Sequence, residues 1–254
     1  MTTRPWVLAE SHWPTVREAQ YDVVVLPWGA TEAHNTHLPY ATDVVEASEV
    51  AIAAAGLAWE RGARVVVLPP VPFGVNTGQL AVPYCLNLNP STQLAVLRDL
   101  LRALEPHGAR KFVIVNGHGG NDFKPLLREL QPQTSLFLSF VNWWTVLDAK
   151  RYFAEPGDHA GALETSVMMH LAPAQVRPLS EAGAGEARRF RMAALREGWA
   201  WAQRDWPSVT DDTGVGNPAE STAAHGERFV RDAAEKIAGY FTELAAADLS
   251  ALYE

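Results

Sequence analysis

Residues 21–43 read YDVVVLPWGATEAHNTHLPYATD, in which an unbroken apolar run passes directly into a polar cluster headed by a glycine. The run YDVVVLPWG is continuous rather than alternating, which predicts a strand buried on both faces, as in a parallel sheet. The polar cluster contains Glu32, His34, His37 and Asp43. Because α/β proteins bind ligands at the carboxyl ends of such strands, this stretch indicates both the fold and the place of the chemistry.

Three more runs share this continuous apolar character: RVVVLPP at 64–70, KFVIVNG at 111–117 and SLFLSFVN at 135–142. Helical patterns separate or follow them, at 43–62, at 91–108 and from roughly 218 to 246. This alternation predicts an α/β fold, a three-layer α/β/α sandwich with a mainly parallel central sheet. No low-complexity linker or shift in composition marks a boundary, so we expect a single domain over residues 1–254.

The composition excludes several classes of protein. A formal net charge of −8 argues against nucleic acid or an anionic membrane surface as the main partner. The single Cys85 rules out an intrachain disulfide framework and is typical of a buried small side chain rather than a nucleophile. Neither a signal peptide nor an uncharged run of membrane-spanning length is visible. We therefore expect a soluble, cytoplasmic protein.

Further polar turns follow the later strands, NGHGGND at 116–122 and GDHAGALETS at 157–166. The side chains that could converge at the carboxyl edge of the sheet are Glu32, His34, Asp43, His118, His159 and Glu164. Imidazole nitrogens and carboxylate oxygens are ligands for zinc or manganese, and a carboxylate such as Asp43 could bridge two ions. The pattern thus predicts a site for divalent metal ions.

Structural alternatives exist for several of these residues. Asp43 could be the N-cap of its helix, with Glu46 completing a capping box. Glu164 could lie on a solvated helix face, and His37 is more typical of a hydrogen-bonded structural histidine than of a ligand. Trp143 and Trp144 could belong to the core or to the wall of a substrate pocket. The stretch GVGNP at 214–218 lacks the pattern of a phosphate loop.

GATEAHNTHLPYATD, NGHGGND and DHAGALETS, in this order, resemble the creatininase (creatinine amidohydrolase) family, specifically its branch with the NGHGGN form. The resemblance extends from about residue 20 to about 240 and includes PFGVNTGQL at 72–80 and TGVGNP at 213–218. It implies an α/β/α fold, a centre of two divalent metal ions (zinc, manganese or iron) and a homo-oligomer, commonly a hexamer.

The same resemblance implies roles for individual residues. Glu32, His34, Asp43 and His118 match metal ligands, with Asp43 as the bridge, and His159 matches a proton-shuttling histidine. Gly120 stands where creatininase proper has a glutamate ligand. Glu164 is therefore the candidate for that ligand position, as well as for a catalytic group. Asn35 stands where family members often have glycine.

These observations predict a metal-dependent amidohydrolase that cleaves a C–N bond of a small, possibly cyclic, amide or formamide through a metal-bound hydroxide. His159 would protonate the leaving nitrogen, with Glu164 beside it. For substrate binding we expect Gly119, Gly120, Trp143, Trp144 and Asp158. The backbone amides of the two glycines would bind the developing oxyanion. Alternatives are a metal-dependent peptidase acting on a short peptide and a non-catalytic, metal-stabilised binding protein.

Overall fold

A parallel sheet lies at the centre of the computed structural model, which describes residues 4–253. In that range the strands are β1 (Val23–Trp28), β2 (Val65–Val67), β3 (Lys111–Asn116) and β4 (Phe137–Asn142). They pair in the order β2–β1–β3–β4, and every pairing is parallel. All four predicted strands are confirmed. The ends of the predicted single domain, residues 1–3 and 254, lie outside the described residues.

Helices cover both faces of this sheet. Over residues 4–253 they are α1 (Trp13–Glu18), α2 (Thr42–Glu60), α3 (Pro90–Leu104), α4 (Phe123–Leu130), α5 (Ala162–Leu171), α6 (Ala193–Arg196), α7 (Trp206–Val209) and α8 (Ala223–Ala246). Helices α2, α5 and α8 pack on one face, and α3 and α4 pack on the other. The predicted three-layer α/β/α sandwich is therefore confirmed.

The continuous apolar strands supply both hydrophobic layers. Successive side chains of a strand point to opposite faces, so Val23 and Val25 meet α2 and α8, whereas Val24 and Leu26 meet α3 and α4. The residues of β1 are all buried, as a strand with helices on both faces requires. No helix within residues 4–253 is both long and apolar enough to cross a membrane.

The strand order places a topological switch point between β1 and β3. The chain leaves β1 toward β2 on one side and returns to β3 on the other side of β1. Trp28 and Asn116, the last residues of the two strands, are register partners, so the loops that follow them start at the same level. Open α/β sheets bind ligands in the crevice at such a point, and both polar motifs begin there.

Two glycines let the first turn of α2 approach this crevice. A Cβ atom on Gly29 would lie 2.6 Å from the backbone nitrogen of Val44, and one on Gly117 would lie 2.5 Å from the carbonyl oxygen of Asp43. Real Cβ atoms do not come this close to backbone atoms, so both positions require glycine. The close approach brings Asp43 to the ends of β1 and β3.

Candidate metal centre

Four segments of the chain bring the predicted ligands together. Glu32 and His34 follow β1, His118 follows β3, and Asp43 lies in the first turn of α2. His159 lies just before α5, and Glu164 lies in its first turn. The ligand atoms form groups in which they lie within 4.8 Å of one another. All six residues thus converge at the carboxyl edge, as the sequence predicts.

The first group, which we call the inner triad, consists of Glu32, Asp43 and His118. His118 Nδ1 lies 2.9 Å from Glu32 Oε1 and 3.0 Å from Asp43 Oδ2. All three side chains are buried, with at most 6% of each residue exposed. Two carboxylates and an imidazole nitrogen therefore face one point that is shielded from solvent.

The second group, the outer triad, consists of His34, Asp43 and half-buried Glu164. His34 Nε2 lies 2.8 Å from Asp43 Oδ1. Yet within the described residues neither His34 Nε2 nor Asp43 Oδ2 makes a hydrogen bond of normal geometry. Two ligands that each lie about 2.0–2.2 Å from one ion come about 3 Å apart, so the spacing fits shared metal ligation.

Each histidine of the site has one ring nitrogen held by a backbone carbonyl. His34 Nδ1 pairs with the Glu32 carbonyl at 3.1 Å, and His118 Nε2 pairs with the Val75 carbonyl at 3.0 Å. His159 Nε2 pairs with the Ala33 carbonyl at 2.8 Å. In a neutral imidazole, an N–H donated to a carbonyl leaves the other nitrogen with its lone pair, which is the usual arrangement of metal-binding histidines. In each case that free nitrogen faces the carboxylates.

The electrostatics of the site are those of densely packed opposite charges. Burial disfavours the imidazolium of His34, but the nearby carboxylate of Asp43 raises the pKa of His34 to about 10. Burial opposes ionisation of Asp43, yet His34 and His118 lower its pKa. Burial raises the pKa of Glu164 to about 7, against the opposing effect of His34. Such strongly shifted groups in a cleft mark a functional site.

Asparagines of the NGHGGN motif hold the turn that carries His118. The Asn116 side chain accepts from the His118 N–H at 3.1 Å and donates to the His118 carbonyl at 2.9 Å. Asn121 Oδ1 accepts from the Val75 N–H at 3.0 Å, which positions the carbonyl that fixes the His118 ring. A Cβ atom on Gly120 would lie 2.3 Å from that Val75 carbonyl oxygen. Glycine at 120 is thus needed for the anchoring of His118.

A second support acts on Glu32. Gln79 donates from its side-chain nitrogen to Glu32 Oε2, which leaves Oε1 facing the histidines. The thiol of Cys85 donates to Gln79 Oε1 at 3.3 Å and accepts from the Ala33 N–H at 3.2 Å. Cys85 is buried and its thiol pKa is raised by burial, which agrees with the predicted structural role.

His159 forms a third group of possible ligands with Glu32 and His34, one residue from each triad. Its Nδ1 is 3.7 Å from Glu32 Oε1, and its ring stacks on that of His34 with centroids 4.1 Å apart. Trp206 presents its ring edge-on to His159, with centroids 5.2 Å apart. Burial and the neighbouring His34 lower the pKa of His159. Both effects favour the neutral imidazole of His159, whose Nδ1 faces Glu32.

The predicted substrate-binding residues are dispersed. Gly119 and Gly120 form the exposed turn after His118, and neither N–H donates to an acceptor in the described part of the chain. The Asp158 carboxylate pairs with Arg204 at 2.7 Å at the surface rather than with the ligands. Trp143 is buried in the core against Phe229, and half-buried Trp144 packs against the same core. Neither tryptophan belongs to the ligand groups.

The structural alternative does not hold for Asp43 but agrees with the structure for His37. Asp43 is not the N-cap of α2: the helix begins at Thr42 after Ala41, and no side chain of the described residues caps it. The alternative of a capping box with Glu46 does not hold, because the Asp43 carboxylate turns toward the histidines instead. His37 Nε2 is 2.8 Å from Thr165 Oγ1. The structural role preferred for His37 agrees with this contact.

Two further segments hold the loop after β1 and the segment of His159 in place. Asn35 adopts a left-handed φ of 54°, which asparagine tolerates, and its side chain accepts from the Gly183 N–H at 2.8 Å. The GVGNP stretch pairs with the histidine segment, since the Val215 N–H donates to the His159 carbonyl at 2.8 Å. This stretch thus holds the backbone of His159 in place.

Sequence reasoning missed Gln79, Trp206 and the burial of Glu46. Gln79 reaches Glu32 only through the fold of the loop after β2, and Trp206 reaches His159 from a short helix far along the chain. The sequence gives one signal for the burial of Glu46. On each of the next three turns of α2, the residue on the same face is apolar and buried, namely Val50, Ala54 and Ala58.

Comparisons with known proteins agree with this geometry. The sequence model of the creatininase family, described as creatinine amidohydrolase, matches residues 9–241. A mycofactocin precursor peptide peptidase from Mycolicibacterium smegmatis is 30% identical over 226 residues, covering 81% of this chain and 78% of that protein. The range matched by the family model includes every residue of the inner and outer triads.

Solved structures extend the comparison to the fold. A Bacteroides fragilis protein provisionally described as a creatinine amidohydrolase is 46% identical, with a TM-score of 0.93 and 100% of both chains covered. A mutant creatininase described as of Zn–Zn type is 24% identical, with a TM-score of 0.77, and 95% of this chain and 98% of that chain are covered. The latter likeness concerns the fold alone.

Proposed function

The chain belongs to the creatininase family, and from this premise we propose that it is a metal-dependent hydrolase that cleaves a C–N bond of a small amide, cyclic amide or formamide. The proposed ligands are Glu32, Asp43 and His118 for one ion, and His34, Asp43 and Glu164 for the other. Solved creatininases of this fold are described as of Zn–Zn type and as an Mn form, so zinc and manganese are the first metals to try.

The observation that carries the proposal is the position of Asp43. Its Oδ1 faces His34 and its Oδ2 faces His118, so one carboxylate spans both triads. A carboxylate between two ions about 3.5–4 Å apart is the usual bridge of two-metal hydrolases. Asp43 Oδ2 and His34 Nε2 are buried and make no hydrogen bond of normal geometry among the described residues, which supports a cation in each triad.

Divalent ions bound there would lower the pKa of a bound water and polarise the carbonyl of the scissile amide. His159 would supply the proton chemistry. Its Nε2–H is held by the Ala33 carbonyl, so the proton would be taken up and released at Nδ1, which faces Glu32. A neutral histidine can accept a proton during attack and return it to the departing nitrogen, a contribution of roughly 10²–10⁴-fold.

Gly119 and Gly120 are the proposed oxyanion donors. Their N–H groups lie next to His118 on an exposed turn and have no acceptor among the described residues. Backbone N–H groups aimed at a developing negative charge stabilise it without reorganisation. Gln79 and Trp206 would act indirectly, by fixing Glu32 and the ring of His159.

Metal content per chain, measured by plasma mass spectrometry without added metal or chelator, tests the proposal. We expect about two ions in the wild type, a reduced number in His118→Ala, and no change in His107→Ala, whose imidazole is exposed. Protein that stays empty after incubation with zinc and manganese would contradict the proposal and favour a binding protein without catalysis.

The role of His159 requires a separate variant because its Nδ1 also lies within reach of Glu32 and His34 as a possible ligand. We expect His159→Ala to keep its metal and to lose roughly 10²–10⁴-fold in kcat. Loss of an ion from this variant would identify His159 as a ligand, and full activity would exclude the proton shuttle.

A peptidase acting on a short peptide is the second candidate function. It is favoured by the 30% identity to a mycofactocin precursor peptide peptidase over 81% of this chain. Turnover of lactams, formamides and short peptides by the same metal-loaded protein separates the two. Activity confined to peptides would establish the second candidate.

A further inference from the structure

Glu46 is a buried carboxyl that neither triad uses. It lies on α2 three residues after Asp43 and is 0% exposed. Residues three apart on a helix share a face, so the face that presents Asp43 to the site also carries Glu46, about one turn farther in. Beyond it this face is apolar, with Val50, Ala54 and Ala58 buried. A carboxyl therefore occupies a position where the helix otherwise buries aliphatic side chains.

Neither oxygen of Glu46 has a hydrogen-bond partner among residues 4–253. The charged groups that act on it are both carboxylates, Glu164 on the neighbouring helix α5 and Asp43 on its own helix. A buried carboxylate without a partner is strongly destabilising, and a neutral acid without a hydrogen bond still destabilises the fold. Residues 4–253 thus leave Glu46 without a compensating group.

A cation at the outer triad would be that compensating group. His34, Asp43 and Glu164 offer three ligand atoms, the number of protein ligands at a catalytic zinc site, where water or substrate takes the open position. With neutral histidines, the carboxylates of Glu32, Asp43 and Glu164 carry one negative charge fewer than the positive charge of two divalent ions. Glu46 would add a negative charge inside the same buried region.

We propose that the Glu46 carboxylate helps to bind the divalent cation held by His34, Asp43 and Glu164. This inference rests on the proposed two-metal function and adds a residue to its outer site. Glu46 belongs to none of the groups whose ligand atoms lie within 4.8 Å of one another, so it would act on the ion through its charge, from behind Asp43 on α2. Removing the charge of Glu46 should weaken the outer ion and leave the inner ion in place.

Three variants test the inference. Glu46→Gln keeps the size and removes the charge, Glu46→Leu restores the apolar helix face, and Glu49→Gln removes an exposed carboxylate from the same helix as a control. Each protein is stripped with a chelator and titrated with Zn²⁺ by calorimetry. Thermal unfolding is then followed with and without zinc.

We expect Glu46→Gln to bind one Zn²⁺ as the wild type does and the second roughly 10- to 100-fold more weakly. Glu46→Leu should unfold at a higher temperature than the wild type when metal-free, because an uncompensated acid is gone, yet gain less stability from zinc. Glu49→Gln should behave as the wild type in both measurements.

Two results would overturn the inference. One is wild-type affinity for two ions in both Glu46 variants. The other is a gain in stability for Glu46→Leu that is equal with and without zinc, which would make Glu46 a buried neutral acid with no part in metal binding. If instead the wild type fails to hold a second Zn²⁺, the proposed two-metal function fails, and the inference fails with it.

Discussion

The inner and outer triads share Asp43 but differ in their exposure to solvent. In the inner triad Gln79 holds Glu32, the Val75 carbonyl holds His118, and both ligands are buried. In the outer triad the Glu32 carbonyl holds His34 Nδ1 and the Ala160 N–H donates to Glu164 Oε2, but Glu164 is only half-buried. The two groups have similar ligand types and similar supports, so the difference lies in how far each is shielded from water.

This difference has a functional meaning. A buried site keeps competing water away from its ion, and its supporting hydrogen bonds typically contribute 10- to 100-fold to affinity. A more open site leaves positions for water and substrate, as catalytic metal sites do. We therefore expect the inner ion to be the more tightly bound and the outer ion to be the more easily exchanged.

Asp43→Asn should have the largest effect, because it removes the charge common to both triads. We expect the loss of both ions and a fall in activity of at least about 10³-fold, since the ions supply several kcal/mol of transition-state stabilisation. Metal analysis and kinetics on any substrate found for the wild type provide the test. Asp122→Asn, at the exposed N-cap of α4, is the control. Retention of the inner ion in Asp43→Asn would show that the triads do not depend on a shared bridge.

The sequence predicts those ligands of the two triads that follow directly after a strand. Continuous apolar runs predict the parallel sheet, and the rule for strand termini then brings Glu32, His34 and His118 together without any tertiary information. Glu164 could be chosen over a solvated face only through the family resemblance. Glu32 and His34 lie next to β1, His118 lies next to β3, and Glu164 lies in the motif DHAGALETS.

The remaining contacts depend on long-range packing that no local pattern encodes. Gln79 meets Glu32 across 47 positions of sequence. Glu46 sits in a helix interior, where a glutamate is ordinarily solvated, and its burial follows from the close packing of α2 on the sheet and α5. Trp143 follows β4 directly, yet it turns into the core toward α8, because an apolar ring gains more from burial there.

Gly120→Ala tests whether the inner triad depends on its support. A Cβ atom at 120 would meet the Val75 carbonyl oxygen at 2.3 Å and His118 Nε2 at 2.4 Å, so the hydrogen bond between them must break or shift. We expect a loss of about 1–3 kcal/mol in the free energy of unfolding and roughly tenfold weaker binding of the inner ion.

Gly119→Ala is the matched control for this prediction. A Cβ atom at 119 would meet no atom of the described chain within 4 Å, so stability should change by less than about 0.5 kcal/mol. Denaturant unfolding and zinc titration of both variants provide the comparison. Equal effects at 119 and 120 would mean that the turn matters only for its backbone flexibility and not for the His118 anchor.

The smallest effect is expected at His37, which lies three residues from the ligand His34 but belongs to neither triad. Carboxylates raise the pKa of His34 to about 10 in spite of burial, whereas burial and the neighbouring His34 lower the pKa of His37 to about 4. A folded-state pKa below the unfolded value of about 6.5 means that the unfolded chain binds the additional proton. His37 should therefore destabilise the fold progressively as the pH falls from about 6.5 toward 4.

His37→Gln removes this proton-linked term and can keep a hydrogen bond to Thr165. Between pH 7 and pH 5 the free energy of unfolding should fall by roughly 1–2 kcal/mol less in the variant than in the wild type. The comparison is made by urea unfolding at each pH, with metal content measured in parallel. Zinc content should stay at the wild-type level, because the Thr165 contact holds His37 outside the ligand set. A loss of zinc would instead place His37 in the outer site and remove the distinction between the two histidines of this loop.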